Sequence, residues 1–491
     1  MLSKSDYLQY LKHPAWVWLK KHDKSKLPPV DEDLQARFDD GNLFESYANQ
    51  LFPHATKLEW NDYSDYKLLP QKTMEALREG AFVIQQGRFE AGDITCIVDV
   101  LEHVESNVYN LYEIKASTQA KPEHVEDLAF QTIVLERCGL EIKNTRVIHV
   151  DNTYIRKGEI SVEGLTATTD ITEKVKAQIP ITESGIEDAL SVISQPDMPD
   201  PSPRYASSRG FQEWMDVFRY LYPDTDKHSI YNLPGIRPKL IAQLEDAGIE
   251  FIHDIPEEYP LGDKSLQYIK LLEEEESRDA NEIRNFLQSF QYPLYFLDYE
   301  TYGSVIPPFD GMRPYQQIPF QYSLHRIDAP DAEVVHTDYL HTESSNPASA
   351  IVSRLKEDIG STGAVVVWNE SFEKTCNSLL ADMVPEESEF LHDLNDRVVD
   401  LMVPFSKKWF EHRDFLGSAS IKAVLPVLVP ELSYKELEVS DGGTAQRLWA
   451  QTILRGENDN RQEQVLEDLR AYCELDTLAM VKIWRILQGL N

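Results

Sequence analysis

The stretch YFLDYET, residues 295–301, places two carboxylates at the end of a segment that otherwise has the apolar character of a buried β-strand. Asp298 and Glu300 are two residues apart, so their side chains point to the same side of a strand. Two buried like charges repel unless a positive group lies between them, and a divalent cation suits carboxylate oxygens. Because a pair of ions about 3.5–4 Å apart needs several oxygen ligands, we expect further carboxylates from distant parts of the chain.

Two later segments offer such ligands. The apolar run GAVVVWN, residues 363–369, predicts a strand followed by a helix that carries Glu373. The segment LRAYCELDTLAMVKIW, residues 469–484, places Tyr472 and Asp476 one helical turn apart. Each residue alone is typical of a core tyrosine or a solvated helix acid. As an ordered set with Asp298 and Glu300, they predict a metal site.

These motifs resemble those of the DEDD 3'-5' exonucleases, which have a ribonuclease-H-like fold. The motifs here are Asp298-Tyr-Glu300, Asn369-Glu-Ser-Phe372-Glu373 and Tyr472-Cys-Glu-Leu-Asp476. The resemblance implies two Mg²⁺ or Mn²⁺ ions held by four carboxylates, with Tyr472 orienting the attacking water. Glu373 departs from the usual Asp, and Asn369 and Asp400 are possible additional residues of the site, Asp400 as a substitute ligand.

A second candidate centre lies in DITCIVDVLEHVESNVYNLYEIKAST, residues 93–118. Asp99 ends one apolar run, and Glu113 and Lys115 share a face of the next predicted strand. Two carboxylates can hold Mg²⁺ or Mn²⁺, while the ammonium stabilises charge developing on phosphorus. The alternative is an ordinary ion pair on an exposed strand, which is the commoner case for a bare E-x-K.

In this order the residues resemble the PD-(D/E)XK nucleases, in their RecB-like branch, over about the first 195 residues. The resemblance implies a restriction-endonuclease-like fold, metal ligation by Asp99 and Glu113, a catalytic Lys115 and a nucleic-acid contact at Gln131 on a downstream helix. Glu45 is a possible additional metal-proximal residue. Many RecB-like relatives hold an iron-sulfur cluster through four cysteines. His13 stands where the first would lie, so we expect no cluster.

The segment Ser194–Gly210, rich in Pro, Ser and Asp, predicts a linker. We therefore expect an α/β chain with a RecB-like domain at 1–195, a linker and helical region at 196–290 and an exonuclease-like domain at 291–491. Within the middle region, IYNLPGIRPKL resembles a helix-hairpin-helix element, in which Arg237 and Lys239 could contact phosphate. A plain helical spacer is the alternative.

The net charge of the chain restricts the kind of partner that it can bind. With 48 Lys+Arg against 83 Asp+Glu the net charge is −35, so the chain as a whole repels polyanions and any nucleic-acid site must be local. Arg313 and Gln317, in RPYQQIPFQYS, could grip phosphate beside aromatic side chains, or the segment could form a core strand pair. Lys422 could likewise contact phosphate or merely lie beside a helix cap.

The cysteines are scattered and MLSKSDYLQY has no apolar signal core, which favours a cytoplasmic protein without a membrane partner.

A likeness along the whole chain is carried by FLDYETYGSVIPPFDGMRPYQQIPFQYSLH (residues 296–325), GSASIKAVLPVLVPELSY (residues 417–434) and AYCELDTLAM (residues 471–480). These stretches resemble a prokaryotic two-part nuclease family that joins a RecB-like region to a C-terminal exonuclease-like domain. We therefore expect a metal-dependent nuclease with two centres, acting in DNA repair, processing or defence. DNA is the favoured substrate and RNA the runner-up, because discrimination depends on 2'-OH contacts that the motifs do not specify. The alternative of another class is a catalytically weak nucleic-acid-binding scaffold.

Overall fold

The computed structural model describes residues 1–434, 437–458 and 460–490. It is a mixed α/β structure of two compact units, one formed by Met1–Tyr231 with Ile236–Glu250 and the other by Asn232–Gly235 with Phe251–Asn491. The expected middle region, 196–290, is therefore divided between the two units. Among the described residues, no helix is both long enough and apolar enough to cross a bilayer.

The N-terminal unit contains a mixed sheet, which has seven strands in the described part of the chain. Its order is β2-β3-β4-β5-β6-β7, and the short β1 pairs with β4. The strands are β1 (Leu2–Ser3), β2 (Thr56–Lys57), β3 (Val83–Ala91), β4 (Ile94–Glu105), β5 (Val108–Lys115), β6 (Glu141–Val150) and β7 (Thr166–Asp170). The predicted strands around Asp99 and Glu113 are thus confirmed as β4 and β5.

Helices of this unit pack on the sheet and on one another. They are α1 (Lys4–Lys12), α2 (Pro14–His22), α3 (Glu32–Ala48), α4 (Tyr63–Arg78), α5 (Pro122–Arg137), α6 (Val162–Leu165), α7 (Thr172–Ser194), α8 (Phe211–Leu221) and α9 (Pro238–Asp246). The core packs Val98, Leu111 and Val147 from the sheet against Phe130 and Val134 of α5. Helix α5 is buried along most of its length, so a polar side chain on it, such as that of Gln131, lies inside the unit.

The C-terminal unit is built on a second mixed sheet, which has five strands in the residues that the structure describes, ordered β11-β10-β9-β12-β13. β9 is central, antiparallel to β10 and parallel to β12. A separate pair joins β8 to β14. The strands are β8 (Glu276–Arg278), β9 (Leu294–Tyr302), β10 (Ile318–Ile327), β11 (Val334–Leu340), β12 (Ala364–Val367), β13 (Val398–Asp400) and β14 (Phe410–His412).

The helices of this unit lie on both faces of the sheet. They are α10 (Asp263–Glu274), α11 (Ala280–Leu287), α12 (Ala348–Asp358), α13 (Glu370–Met383), α14 (Ser388–Asp396), α15 (Val403–Ser406), α16 (Ile421–Leu428), α17 (Gly442–Trp449) and α18 (Gln462–Gly489). Leu297 and Tyr299 of β9 pack toward α12–α14, whereas Phe296 packs toward Trp484 of α18. Because side chains alternate along a strand, Asp298 and Glu300 share the α18 side with Phe296.

Candidate functional site

The central strand β9 brings Asp298 and Glu300 to a cavity of about 480 Å³ in the C-terminal unit. Asp476 and Tyr472, one turn apart on α18, line the same cavity. One donor atom each of Asp298, Glu300 and Cys473 lie within 4.8 Å of one another. The structure thus places side by side three carboxylates that are up to 178 residues apart in the sequence.

Electrostatics in this carboxylate cluster penalise ionisation. Desolvation, followed by the charge of Asp476, raises the pKa values of both Asp298 and Glu300 well above those of ordinary carboxyl groups. Desolvation also raises the pKa of Asp476 to about 6, against the opposing effects of Tyr434 and Lys422. Each shift means that a proton or another positive charge is favoured at the cluster.

Two further side chains act on Asp476. The hydroxyl of Tyr434 donates a hydrogen bond to Asp476 Oδ1 at 2.5 Å. Lys422, which also lines the cavity, has Nζ 5.8 Å from the ring of Tyr434 and 6.0 Å from that of Tyr472. Its ammonium donates to the backbone carbonyl of Ser440 at 3.0 Å, so the carboxylates feel its charge without an ion pair of hydrogen-bond length.

Glu373, predicted as the fourth ligand, is 1% exposed on α13. Burial and the neighbouring Asp400 raise the pKa of Glu373 to about 8, and its charge contributes to the raised pKa of Asp298. Within the described part of the chain, its Oε2 has no hydrogen-bond partner. Phe372, the preceding residue, lines the cavity, whereas Glu373 itself lies behind the cavity wall.

Asn369 and Asp400 serve the local backbone. Asn369 is exposed, has a left-handed φ of 88° at the start of α13, and donates its N–H to Asp400 Oδ1 at 3.0 Å. The same oxygen accepts the N–H of Met402 at 2.9 Å. Asp400 therefore holds the β12–α13 turn to the end of β13, which leaves its Oδ2 as the oxygen for any other role.

Most of the segment RPYQQIPFQYS forms a buried strand of the core, which was the alternative to a phosphate-binding role. Phe320 and Tyr322 are fully buried on β10, whereas Tyr315 is 38% exposed before the strand begins. Arg313 is also exposed. Gln317 lines the cavity and accepts a hydrogen bond from Thr301 at 2.9 Å, so it is the member of this segment that reaches the site.

The predicted N-terminal residues also converge. Glu113 Oε1 lies 2.6 Å from Lys115 Nζ and 2.8 Å from Lys4 Nζ, while Glu113 Oε2 accepts a hydrogen bond from Gln131 at 2.6 Å. Gln131 donates in addition to Asp127 Oδ1 at 2.7 Å. In this cluster both oxygens of Glu113 are already engaged by the protein.

The negative charge of Glu113 is compensated by lysine side chains of the protein itself. Although burial opposes it, the charges of Lys115 and Lys4 hold the pKa of Glu113 well below its ordinary value. The pKa of Asp99 moves the other way, to about 7, through desolvation and the charge of Glu113. Asp99 Oδ2 accepts the N–H of Ile114 at 2.8 Å, which fixes the carboxyl against β5.

The remaining N-terminal predictions lie farther from Glu113. Glu45 on α3 accepts a hydrogen bond from Gln86 at 2.6 Å, and its charge contributes to the raised pKa of Asp99. Arg237 and Lys239 are exposed at the start of α9. His13 is buried, accepts the N–H of Ala15 at 3.0 Å and stacks on Trp214 with ring centroids 3.8 Å apart, so that position serves packing.

Sequence reasoning missed four side chains at these clusters. Asp127 lies one helical turn before Gln131, and Cys473 three residues before Asp476, so helical periodicity could have found both. Lys4 and Tyr434 come from segments 109 and 42 residues away from their carboxylate partners. No local spacing marks such contacts.

Comparison with known proteins gives relatives without an assigned activity. A family model described as a domain of unknown function (DUF2779) matches residues 295–420, which include Asp298, Glu300 and Glu373 but not Asp476. The chain is 26% identical over 228 residues to the uncharacterized protein MG366 of Mycoplasma genitalium, covering 43% of this chain and 34% of that protein.

Two further relatives are similar to the same degree. The uncharacterized protein UU173 of Ureaplasma parvum is 27% identical over 217 residues, covering 40% of this chain and 31% of its own length. The uncharacterized MG366 homolog of Mycoplasma pneumoniae is 24% identical over 221 residues, with coverages of 42% and 33%. The matched region thus spans about a third of these curated relatives, and part of the C-terminal unit is similar to the DUF2779 model.

Proposed function

We propose that the C-terminal unit is a metal-dependent phosphodiesterase that removes nucleotides from a 3' end, with DNA as the favoured substrate and RNA as the alternative. The observation that carries this proposal is the convergence of Asp298, Glu300 and Asp476 in one open cavity. Their raised pKa values favour a positive charge there. The mixed five-stranded sheet, with the acids on its central strand, is compatible with the ribonuclease-H-like fold that the motifs imply.

The donor set fits divalent ions. Asp298, Glu300 and Asp476 offer hard carboxylate oxygens at the cavity. Glu373 does not line the cavity, although its buried Oε2 has no hydrogen-bond partner among the described residues. Mg²⁺ or Mn²⁺ held there would activate water and neutralise charge on the leaving oxygen of a phosphodiester. The sulfur of Cys473, 3.9 Å from Asp298 Oδ2, is not required for that role.

The protein's own side chains have separate tasks in this scheme. Tyr472, in the cavity wall and 4% exposed, can hold the attacking water by its hydroxyl. Lys422 adds a positive charge to the cavity lining, which a polyanionic substrate of an acidic protein requires. Phe372, which also lines the cavity and is 37% exposed, offers a flat surface on which a terminal base can stack.

The test is hydrolysis of 5'-labelled single-stranded DNA, duplex DNA and RNA of one sequence, in Mg²⁺ or Mn²⁺. We expect a ladder of products shortened from the 3' end, and Asp298→Asn should reduce its rate by about 10³-fold, because the ions supply several kcal/mol of transition-state stabilisation. Asp338→Asn is the matched control, since Asp338 lies in the same sheet but pairs with Arg470 at 3.2 Å. Cleavage of no substrate, or undiminished cleavage by Asp298→Asn, would refute the proposal.

The N-terminal cluster supports a different candidate function. As arranged, it does not fit a divalent ion, because Lys4, Lys115 and Gln131 occupy both oxygens of Glu113. This favours nucleic-acid binding without turnover for the N-terminal unit over a second hydrolytic centre. In the Asp298→Asn background, Lys115→Ala should leave the residual hydrolysis unchanged, and a further loss would establish the RecB-like centre as active.

A further inference from the structure

A second group of potential metal ligands lies on the α18 side of the C-terminal sheet, outside the carboxylate cluster. His325 on β10 stands directly opposite His336 on β11, and their ring centroids are 4.5 Å apart. Glu474, on α18, places Oε1 3.8 Å from His336 Nδ1. One donor atom from each of the three residues lies within 4.8 Å of the other two.

We propose that His325, His336 and Glu474 form a binding site for a divalent transition-metal ion such as Zn²⁺. The site is distinct from the carboxylate cluster, because Asp298 is opposite Ser323 on β10, whereas His325 is opposite Phe296. That offset of two residues along β10 is about 7 Å. The proposal is independent of the proposed hydrolytic activity.

The hydrogen bonds of the two histidines are compatible with the imidazole tautomers that metal binding requires. The hydroxyl of Thr477 donates to the backbone carbonyl of Glu474 at 3.1 Å, so it can accept from His325 Nδ1 at 2.8 Å. It can also accept from the hydroxyl of Ser323 at 2.7 Å, which in turn accepts from His336 Nε2 at 2.9 Å.

This assignment satisfies every donor in the chain and leaves lone pairs on His325 Nε2 and His336 Nδ1. Metal-bound histidines ordinarily donate their other ring N–H to a fixed acceptor in this manner. The lone pair of His336 Nδ1 and the carboxylate oxygen of Glu474 are both acceptors, so they repel at 3.8 Å unless a cation lies between them.

The ligand chemistry selects the class of metal. Two neutral imidazoles with one carboxylate suit Zn²⁺ and similar ions, whereas Mg²⁺ prefers oxygen ligands alone. Bonds of about 2.0–2.2 Å require donors about 3.3–3.5 Å apart, so small side-chain rotations would bring the three atoms into range. His336 and Glu474 are 26% and 47% exposed, which gives an ion a path from solvent.

Metal binding at this site would join three elements that carry the carboxylate cluster or support it. β10 lies beside β9, and α18 supplies Tyr472 and Asp476. An ion held between β10, β11 and α18 would therefore fix the helix against the sheet and stabilise the unit against unfolding.

The test is calorimetric titration of the full chain with Zn²⁺ in excess Mg²⁺, which occupies oxygen-only sites. We expect one Zn²⁺ per chain, and His325→Gln, His336→Gln and Glu474→Gln should each weaken binding by at least about tenfold. Glu474 is half-exposed on a helix surface, so its variant should fold normally. His412→Gln is the matched control, since His412 also lies 3.8 Å from a carboxylate, that of Asp414, and should bind as wild type.

X-ray absorption at the zinc edge separates this site from the carboxylate cluster. We expect imidazole scattering with Zn–N near 2.0–2.1 Å, whereas a contribution near 2.3 Å would indicate the thiolate of Cys473. Asp298→Asn should retain binding. The proposal fails if the wild type binds no Zn²⁺, if sulfur is a ligand, or if binding is lost in Asp298→Asn but kept in the histidine variants.

Discussion

Two clusters of carboxylates lie in this chain, one in each unit, and their charges are compensated in opposite ways. In the N-terminal unit, the ammonium groups of Lys4 and Lys115 contact the fully buried Glu113, whose pKa falls well below its usual value. In the C-terminal unit, desolvation and mutual repulsion raise the pKa values of Asp298 and Glu300 well above theirs.

This difference indicates which cluster needs an external cation. A buried carboxylate must be paired, protonated or bound to an ion, since an isolated ionised group is costly in a low dielectric. The N-terminal cluster already holds its counter-charges. The C-terminal cluster is open to solvent through its cavity and has one nearby ammonium, that of Lys422, among the described residues that line it. Convergence of acids is thus common to both clusters, and the raised pKa values of Asp298 and Glu300 indicate that the C-terminal cluster has the greater need for a positive charge.

The largest expected effect on stability is at Glu113. Glu113→Gln leaves two ammonium groups with Asp127 as their remaining ion-pair partner and Asp99 as a further nearby carboxyl group. We expect a loss of about 3 kcal/mol in the free energy of unfolding of the N-terminal unit, which is at the lower end for breaking a buried ion pair because both lysines reach water. Hydrogen exchange of the β5 amides as a function of urea measures this unit separately. Glu105→Gln, at the exposed end of β4, should change it by less than about 0.5 kcal/mol.

If Glu113→Gln costs less than about 1 kcal/mol, the lysines do not compensate the carboxylate, and the contrast between the clusters fails. Asp298→Asn supplies the opposite case. Because it removes a carboxyl group whose ionisation is opposed by desolvation and by the charge of Asp476, it should leave the metal-free C-terminal unit as stable as the wild type or more stable.

The second prediction concerns metal binding by the C-terminal unit. Mg²⁺ at about 100 times its dissociation constant should stabilise this unit by about 2.7 kcal/mol, since ions that bind only the folded state shift the unfolding equilibrium. Exchange of the β9 amides reports the gain, and the β5 amides are the internal control. Asp298→Asn should abolish the gain and Glu113→Gln should keep it. Protection that appears at β5 instead would assign the metal to the N-terminal cluster.

Much of both clusters was accessible from sequence because it depends on short-range periodicity. Alternation along a strand placed Asp298 with Glu300 and Glu113 with Lys115, and one helical turn placed Tyr472 with Asp476. The predicted strands and the helix after GAVVVWN are also present.

The rest depended on long-range packing, which no spacing encodes. Lys4 reaches Glu113 because β1 pairs with β4 at the start of α1, and Tyr434 reaches Asp476 from an irregular segment. These contacts change the charge and hydrogen bonding around the motif residues, which the motifs themselves do not show. The E-x-K pattern of the N-terminal unit is the same with or without Lys4, yet Lys4 adds a second ammonium group to the Glu113 oxygen that Lys115 already contacts.

The third prediction is a pH dependence that differs between the clusters. The folded-state pKa of Asp476 is about 6, above its ordinary value, so its proton is bound more tightly in the folded state. The free energy of unfolding of the metal-free C-terminal unit should therefore fall by roughly 2 kcal/mol as the pH rises from about 4 to 6, because the pKa of Asp476 is about two units higher in the folded state than in the unfolded state. In the N-terminal unit Glu113, with a lowered pKa, contributes the opposite slope below about pH 4.5, since its contribution is lost on acidification. Asp99, whose pKa is about 7, contributes a fall between pH 4 and 7 of the same sign as that of Asp476.

Hydrogen exchange at β9 and β5 between pH 4 and 8, corrected for the intrinsic exchange rate, separates the two slopes. Saturating Mg²⁺ should flatten the β9 profile, because the ion neutralises the charges that ionisation exposes. A β9 profile that Mg²⁺ leaves unchanged, or a β5 profile that Mg²⁺ flattens instead, would contradict the assignment of uncompensated charge to the C-terminal cluster.

The smallest expected effect is at Tyr434, whose hydroxyl donates to Asp476 Oδ1 at 2.5 Å and opposes the rise in the pKa of that acid. Tyr434→Phe should raise the pKa of Asp476 by about one unit, equivalent to about 1.4 kcal/mol. Since a metal ion competes with that proton, the acid limb of Mg²⁺ binding should move upward by the same interval while affinity at pH 8 changes little.

Tyr322→Phe is the matched control, because Tyr322 donates to the carboxylate of Asp358 at 2.6 Å on the same unit, outside the cavity. Calorimetric titration with Mg²⁺ from pH 5 to 8 should show the shifted limb in Tyr434→Phe alone. An unmoved limb would mean that Asp476 does not bind the ion in its ionised form. Asp298 and Glu300 would then be the ligands of the metal ion. The difference in charge compensation between the two clusters would apply to these two residues and not to Asp476.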